Sequence, residues 1–132
     1  MSEDRRFTCV LDASALLAYL HEETGHESVA SALSGSLICS VNWSEVVQKS
    51  VAHGVAPDGL RGDLAALGLA VVPFSAEDAE LAATLWPATR VFGLSLGDRA
   101  CLALARQRRL PAFTTDRIWG ELAVNIEIRV IR

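Results

Sequence analysis

Residues 9–20 read "CVLDASALLAYL". An apolar stretch containing β-branched Val10 stops at one carboxylate, Asp12, and resumes at once as Ala13, Ala15, Leu16, Leu17, Ala18 and Leu20. A short apolar run that ends on a polar residue and continues in good helix formers predicts a buried strand and then a helix. The strand covers Phe7 to Leu11, and the helix runs from Ala13 to about Leu20, stopping before Thr24-Gly25. The pattern recurs downstream. A short helix over His26 to Leu33 leads to "SLICS" (36–40), a second strand, and a helix follows from Val41 to about Ala52. Pro57 opens a helix to about Leu67, and "AVVPF" (70–74) is a third strand. Ser75 starts a helix with Asp78 in the capping-box position, and Pro87 interrupts it. After "FGLSLG", Asp98 to about Arg108 is a helix that turns Cys101, Leu102 and Ala105 to one buried face. "PAFTT" (111–115) is a short strand. The tail "VNIEIRVI" (124–131) alternates with the period of two of a half-exposed strand. Strands separated by helices need crossovers, which implies an α/β fold: a three-layer α/β/α sandwich around a mainly parallel sheet. Ligands of such sheets bind beyond the carboxyl ends of the strands.

Composition sets the outer bounds. At 132 residues, with no repeat, low-complexity tract or linker, the chain is expected to be one domain, 1–132. A hydrophobic content of 51% excludes disorder, and no apolar run reaches the roughly 20 residues that a membrane span requires. The opening "MSEDRRFTCV" carries charges of both signs and no apolar h-region, so a cytoplasmic location is the expectation. Cys9, Cys39 and Cys101 sit among apolar neighbours and form no C-x-x-C pair, and they read as buried thiols. His21, His26 and His53 lack the spacing of a zinc site. The net charge of −4 offers nucleic acid no global attraction, although 11 of the 12 basic residues are arginine.

Four acids occupy comparable places. Asp12 follows the first strand, and Glu45 lies in the first turn of the helix after the second. Asp98 begins the helix after "LSLG", and Asp116 follows "AFTT". Each has an ordinary explanation. Asp12 can cap a helix, Asn42-x-x-Glu45 and Ser95-x-x-Asp98 have capping-box spacing, and Asp116 can cap the turn "RIWGEL". As a set they say more, because a parallel sheet brings all four to one edge. Two carboxylates about 4 Å apart at an effective dielectric near 20 repel by about 4 kcal/mol, so a cluster takes up protons, recruits Arg or Lys, or binds a cation. Lys49 is the sole lysine, and Arg99 and Arg117 are the arginines adjoining the acids. An all-oxygen donor set suits Mg²⁺ or Mn²⁺, which activate water and stabilise displacement at phosphorus.

"LDASALLAYL", "VNWSEV", "LSLGDRACLALA" and "FTTDRIW" resemble, in order and spacing, the four motif blocks of the PIN-domain ribonucleases, specifically the VapC toxins of bacterial toxin–antitoxin pairs. The resemblance covers nearly the full length. It implies an α/β sandwich, Mg²⁺- or Mn²⁺-dependent endonucleolytic cleavage of RNA, inhibition by a small cognate antitoxin, and a homodimer. By position, Asp12 and Asp98 match the principal metal ligands, and Glu45 and Asp116 the other acids of the site. Ser14 and Thr114 match hydroxyl residues that orient carboxylates or water. Arg106, Arg108 and Arg109 are candidate RNA contacts, and they equally suit the negative end of a helix dipole. Trp43, Trp86 and Trp119 can stack on bases, but core or interface packing is the commoner use.

Two other readings compete. A receiver-like phosphotransfer domain also gathers acids around Mg²⁺, but wants an adjacent acidic pair and a late-strand lysine; here Ala13 follows Asp12 and Lys49 lies mid-helix. A non-catalytic module could use an acidic groove to dock a basic partner, with an arginine entering the acids.

Overall fold

The computed structural model describes residues 6–132. Strands β1 (Cys9–Leu11), β2 (Ser36–Cys39), β3 (Leu69–Val72), β4 (Ala112–Thr114) and β5 (Ile128–Val130) form one sheet in the order β3-β2-β1-β4-β5. Every pairing is parallel. The helices are α1 (Ala13–Leu20), α2 (His26–Ala32), α3 (Ser40–Ala52), α4 (Leu60–Ala66), α5 (Ala76–Thr84), α6 (Trp86–Thr89) and α7 (Leu96–Arg108). Single 3-10 turns cover Arg90–Phe92 and Arg117–Glu121.

The strands alternate between two cores, which makes the sandwich three-layered. Val10, Leu37, Cys39 and Ala112 point to one face, where they meet the buried run Ala100–Ala105 of α7, Ala82 of α5 and Trp119. Cys9, Leu11, Ile38 and Phe113 point to the other, against Ala15 and Leu16 of α1, Val29 of α2, Val46 of α3 and Leu64 of α4. A sheet covered on both sides explains why its strands are short unbroken apolar runs. The strand order reverses direction at β1: the chain winds outward through β2 and β3, then crosses back to place β4 on the other side of β1. Such a reversal opens a crevice at the carboxyl ends of the two central strands.

Several expected elements have different bounds. The tail strand contracts to Ile128–Val130 because β4, its only neighbour, offers three residues to pair with. Val124 and Ile126 still pack on the core, so the alternation survives beyond the ladder. The helix expected at Pro57 starts at Leu60, after a turn in which Leu60 N–H donates to Pro57 O (3.1 Å) and Gly59 adopts φ 81°. Trp119 is buried and Trp43 packs beside the α1 core, as expected, but Trp86 is 52% exposed with Arg90 stacked on its ring. All three cysteines are buried and form no disulfide among the described residues, and burial pushes the Cys9 thiol up to about 11. No helix among the described residues is long and apolar enough to cross a membrane.

Candidate active site

Asp12 stands where β1 ends, at the reversal of strand order. Its N–H continues the ladder to Phe113 O (3.0 Å), which fixes the backbone, and its side chain turns into the crevice as the N-cap of α1. Oδ1 accepts from Ala15 N–H (2.8 Å) and from the Ser14 hydroxyl (2.7 Å), while Oδ2 accepts from the Thr114 hydroxyl of β4 (2.6 Å). Both hydroxyls are relays with a fixed sense. Ser14 Oγ accepts from Thr115 N–H (3.0 Å) and Thr114 Oγ1 from Asp116 N–H (3.0 Å), so each has its own proton to give to Asp12. Three donors occupy three of the roughly four lone-pair directions of the carboxylate, leaving one on the Oδ2 side.

These bonds favour the charged form, yet burial wins. Asp12 is only 4% exposed, and its carboxyl is pushed from 3.8 up to about 6, chiefly by burial and further by the charge of Asp98; the bonds from Thr114, Ala15 and Ser14 oppose the rise. No Lys, Arg or His among the described residues forms an ion pair with it. Asp12 is therefore a well-oriented buried carboxylate without a counter-charge among the described residues.

Asp98 enters from α7. Ser95 and Asp98 form a reciprocal capping box, with Asp98 N–H donating to Ser95 Oγ (3.1 Å) and Ser95 N–H to Asp98 Oδ2 (2.9 Å). Its Oδ1 has no hydrogen bond among the described residues, so the cap leaves one oxygen for a ligand. Glu45 arrives differently from expectation. Because α3 begins at Ser40, with Cys39 as its N-cap, Glu45 lies in the second turn and Asn42 is no cap. Asn42 is instead a buried clamp: its Nδ2 donates to Glu45 Oε1 (3.1 Å) and to Gly97 O (2.9 Å), joining α3 to the first turn of α7. Gly97 permits this approach, since a Cβ there would lie 2.7 Å from Glu45 Oε2. Neither Asn42 nor Gly97 was singled out for this role from the sequence; the Asn-x-x-Glu spacing was the visible signal. Cys101, fully buried one turn beyond Asp98, is raised well above the ordinary thiol range by burial and then by the charges of Asp12, Cys39, Asp98 and Glu45.

Asp116 adjoins this network through its N–H, which donates to Thr114 Oγ1. Asp116 is exposed at the rim, its Oδ1 accepting from Ile118 N–H (3.0 Å) as the cap of the following turn. Arg99 Nη1 donates to Ala82 O (3.2 Å), tying α7 to α5 and bracing no acid. Arg106, Arg108 and Arg109 close the opposite end of α7; at 1.5 Å per residue Arg106 is already about 12 Å along the helix from Asp98. That end lies at the amino ends of the strands, where Arg106 and Arg109 line a pocket with Pro111 and Glu127. The sequence could not show this, since the direction of a helix relative to the sheet is a tertiary property. Their complement to the helix dipole is the role that this position supports.

Among the described residues no three His, Cys, Asp or Glu side chains stand close enough to form a ready-made metal cage. The donor chemistry nevertheless fits a hard cation. Mg²⁺ commonly keeps several waters and uses one or two carboxylates, completing its shell from substrate phosphate. An uncompensated buried carboxylate beside a second one is the electrostatic setting that such an ion relieves.

No curated protein matches the chain significantly. Its fold is similar to VapC20 of Mycobacterium tuberculosis, a toxin described as cleaving the sarcin–ricin loop: TM-score 0.67 and 12% identity, covering 91% of this chain and 99% of that one. It is likewise similar to FitAcB of Neisseria gonorrhoeae (TM-score 0.66, 15% identity, 92% of this chain and 96% of that one). DNA-bound VapBC of Salmonella typhimurium matches with TM-score 0.65 and 15% identity, over 94% of this chain and 98% of that one. At such identities these likenesses establish the fold. The sequence profile of the PIN domain matches residues 9–125, nearly the whole chain, and the protein belongs to the PIN-domain family.

Proposed function

We propose that the protein is a divalent-metal-dependent endoribonuclease, using Mg²⁺ or Mn²⁺, and the toxin of a type II toxin–antitoxin pair. The observation that carries this reading is Asp12: a carboxylate held by three donors, buried without a counter-charge among the described residues, and within reach of the charge of Asp98 at the reversal of strand order. Membership of the PIN family and the likeness in fold to the VapC20 toxin and to VapBC support it.

Asp12 and Asp98 would hold the cation, with Glu45 and Asp116 as further oxygen donors or as the groups that orient the attacking water. When bound, it supplies Lewis-acid polarisation of a phosphoryl oxygen and lowers the pKa of a bound water. The chain's own contribution is positioning. Ser14 and Thr114 fix the plane of the Asp12 carboxylate, Asn42 holds Glu45 against Gly97, and Ser95 directs Asp98. The reaction is hydrolysis of an RNA phosphodiester. A small antitoxin and a second copy of the chain belong to the same reading, and the segment from Trp86 to Leu96 exposes Trp86, Val91 and Leu96 for such contacts.

The test is incubation of antitoxin-free protein with RNA in Mg²⁺, Mn²⁺ or EDTA, beside Asp12→Asn and Asp98→Asn. Cleavage should require metal and disappear in both variants. Cleavage that survives either substitution, or proceeds in EDTA, refutes the assignment. Tight binding of a basic peptide with no cleavage would favour the docking module.

A further inference from the structure

From the active site a cleft of about 360 Å³ runs outward between α1 and α3. Its inner end is Ser14, which holds Asp12, and Thr115, whose N–H donates to the Ser14 hydroxyl; its outer end is lined by His21, Glu23, Lys49, His53 and Arg132. The arrangement follows from helical periodicity. Ser14, Leu17 and His21 are spaced i, i+3, i+7 on one stripe of α1, and Glu45, Lys49 and His53 follow every fourth residue on α3. Two stripes that begin at the acids therefore end in bases, about 10 Å away at 1.5 Å per residue between Ser14 and His21.

We infer that this cleft binds the backbone of the RNA strand beside the scissile bond, with Lys49 as its principal phosphate contact. The inference rests on the endoribonuclease reading. The protein as a whole is acidic, so any grip on a polyanion must be local. Arg132 is partly used, its Nη2 lying 3.2 Å from Glu23 Oε1 and its Nε donating to Thr24 O. Lys49 has no acidic partner among the described residues and is the lysine or arginine of this cleft that no ion pair engages. His53 Nδ1 donates to Lys49 O (2.8 Å), which leaves Nε2 for a ligand. Beyond them the cleft continues into a second hollow of about 330 Å³, floored by Leu20, Val55 and Leu60, where an unstacked base can lie against apolar side chains. Charged phosphate contacts beside an apolar shelf are the chemistry of a single-strand groove.

The test measures binding of a fluorescent, unstructured oligoribonucleotide by anisotropy across a salt series, in an Asp98→Asn background that prevents cleavage. Lys49→Gln keeps the aliphatic stem and removes the charge. It should weaken binding about tenfold, the equivalent of one charge-assisted hydrogen bond, and should flatten the log K against log salt slope by about 0.7, one phosphate contact on a single strand. Lys49→Arg should restore both. In the cleaving protein, Lys49→Gln should raise KM and leave kcat unchanged. If the parent cuts and binds RNA and Lys49→Gln matches it in affinity and slope, the cleft assignment is wrong while the nuclease stands. If the parent neither cuts nor binds RNA, both fall. Loss of affinity for a basic or acidic peptide alone would assign the cleft to a protein partner and overturn the inference.

Discussion

Replacing Asp12 by Asn should make the metal-free protein more stable at neutral pH while abolishing cleavage. The buried carboxyl rests at about 6 in the folded protein and at 3.8 ordinarily. Between those values the folded state holds a proton that the unfolded chain has released, so wild-type stability falls as pH rises through the window and levels off above it. At 1.36 kcal/mol per pKa unit, just over two units cost about 3 kcal/mol at pH 8. Asn keeps an oxygen for Ala15 N–H and the Ser14 hydroxyl, but its amide must face Thr114 Oγ1, which already accepts from Asp116 N–H. The Thr114 proton then has only Ser14 Oγ, 3.5 Å away, as an alternative, a loss of about 1 kcal/mol. The net gain of about 2 kcal/mol corresponds to a Tm rise of about 8 °C for a domain of this size. Thermal unfolding by circular dichroism in EDTA, from pH 4.5 to 8, measures it. The advantage of Asp12→Asn should be full at pH 8, shrink as pH falls through 6, and vanish or reverse near 4.5. A variant less stable at pH 8, or an advantage that ignores pH, would refute the claim that Asp12 is buried without a counter-charge.

Three further outcomes follow from the same geometry. Mg²⁺ or Mn²⁺ at 100 times its Kd should stabilise the wild type by about 2.7 kcal/mol in a thermal-shift assay and leave Asp12→Asn unmoved; an equal shift in both would place the ion elsewhere. Gly97→Ala adds a Cβ 2.7 Å from Glu45 Oε2, displacing a flexible carboxylate and not the backbone. Better helix propensity, worth about 1 kcal/mol, should offset the lost Asn42 contact, so Tm stays nearly constant while cleavage falls about a hundredfold. Thr114→Val removes the donor to Asp12 Oδ2, so the Asp12 carboxyl should move further up and the acid limb of the pH–rate profile should shift by about one unit, with Thr114→Ser restoring it; an unmoved limb would detach Thr114 from Asp12.

The capping boxes at Ser75 and Ser95 were visible because both partners lie three residues apart, and the structure makes both reciprocal bonds. Asn42-x-x-Glu45 has the same spacing and does something else, because the helix starts two residues earlier and Asn42 turns to Gly97, 55 residues on. Local spacing cannot tell a cap from a clamp when the partner is remote. The arginines of α7 show the same limit, being close to Asp98 in sequence and a helix length away in space.

The sequence by itself determined the alternation of short apolar strands with helices, the single carboxylate at the end of the first strand, and the four motif blocks that bear the PIN resemblance. Those are local patterns of polarity, period and spacing, and each is written within about a dozen residues. Only the tertiary structure decided that β4 lies beside β1, so that Thr114 meets Asp12 from 102 residues away. Only it decided that Asp12 is buried with no ion pair among the described residues, that Glu45 rests on Gly97, and that Lys49 and His53 line a cleft leading from Ser14. Strand order and helix direction are fixed by how the apolar faces cover the whole sheet, and no single stretch of the chain contains that information.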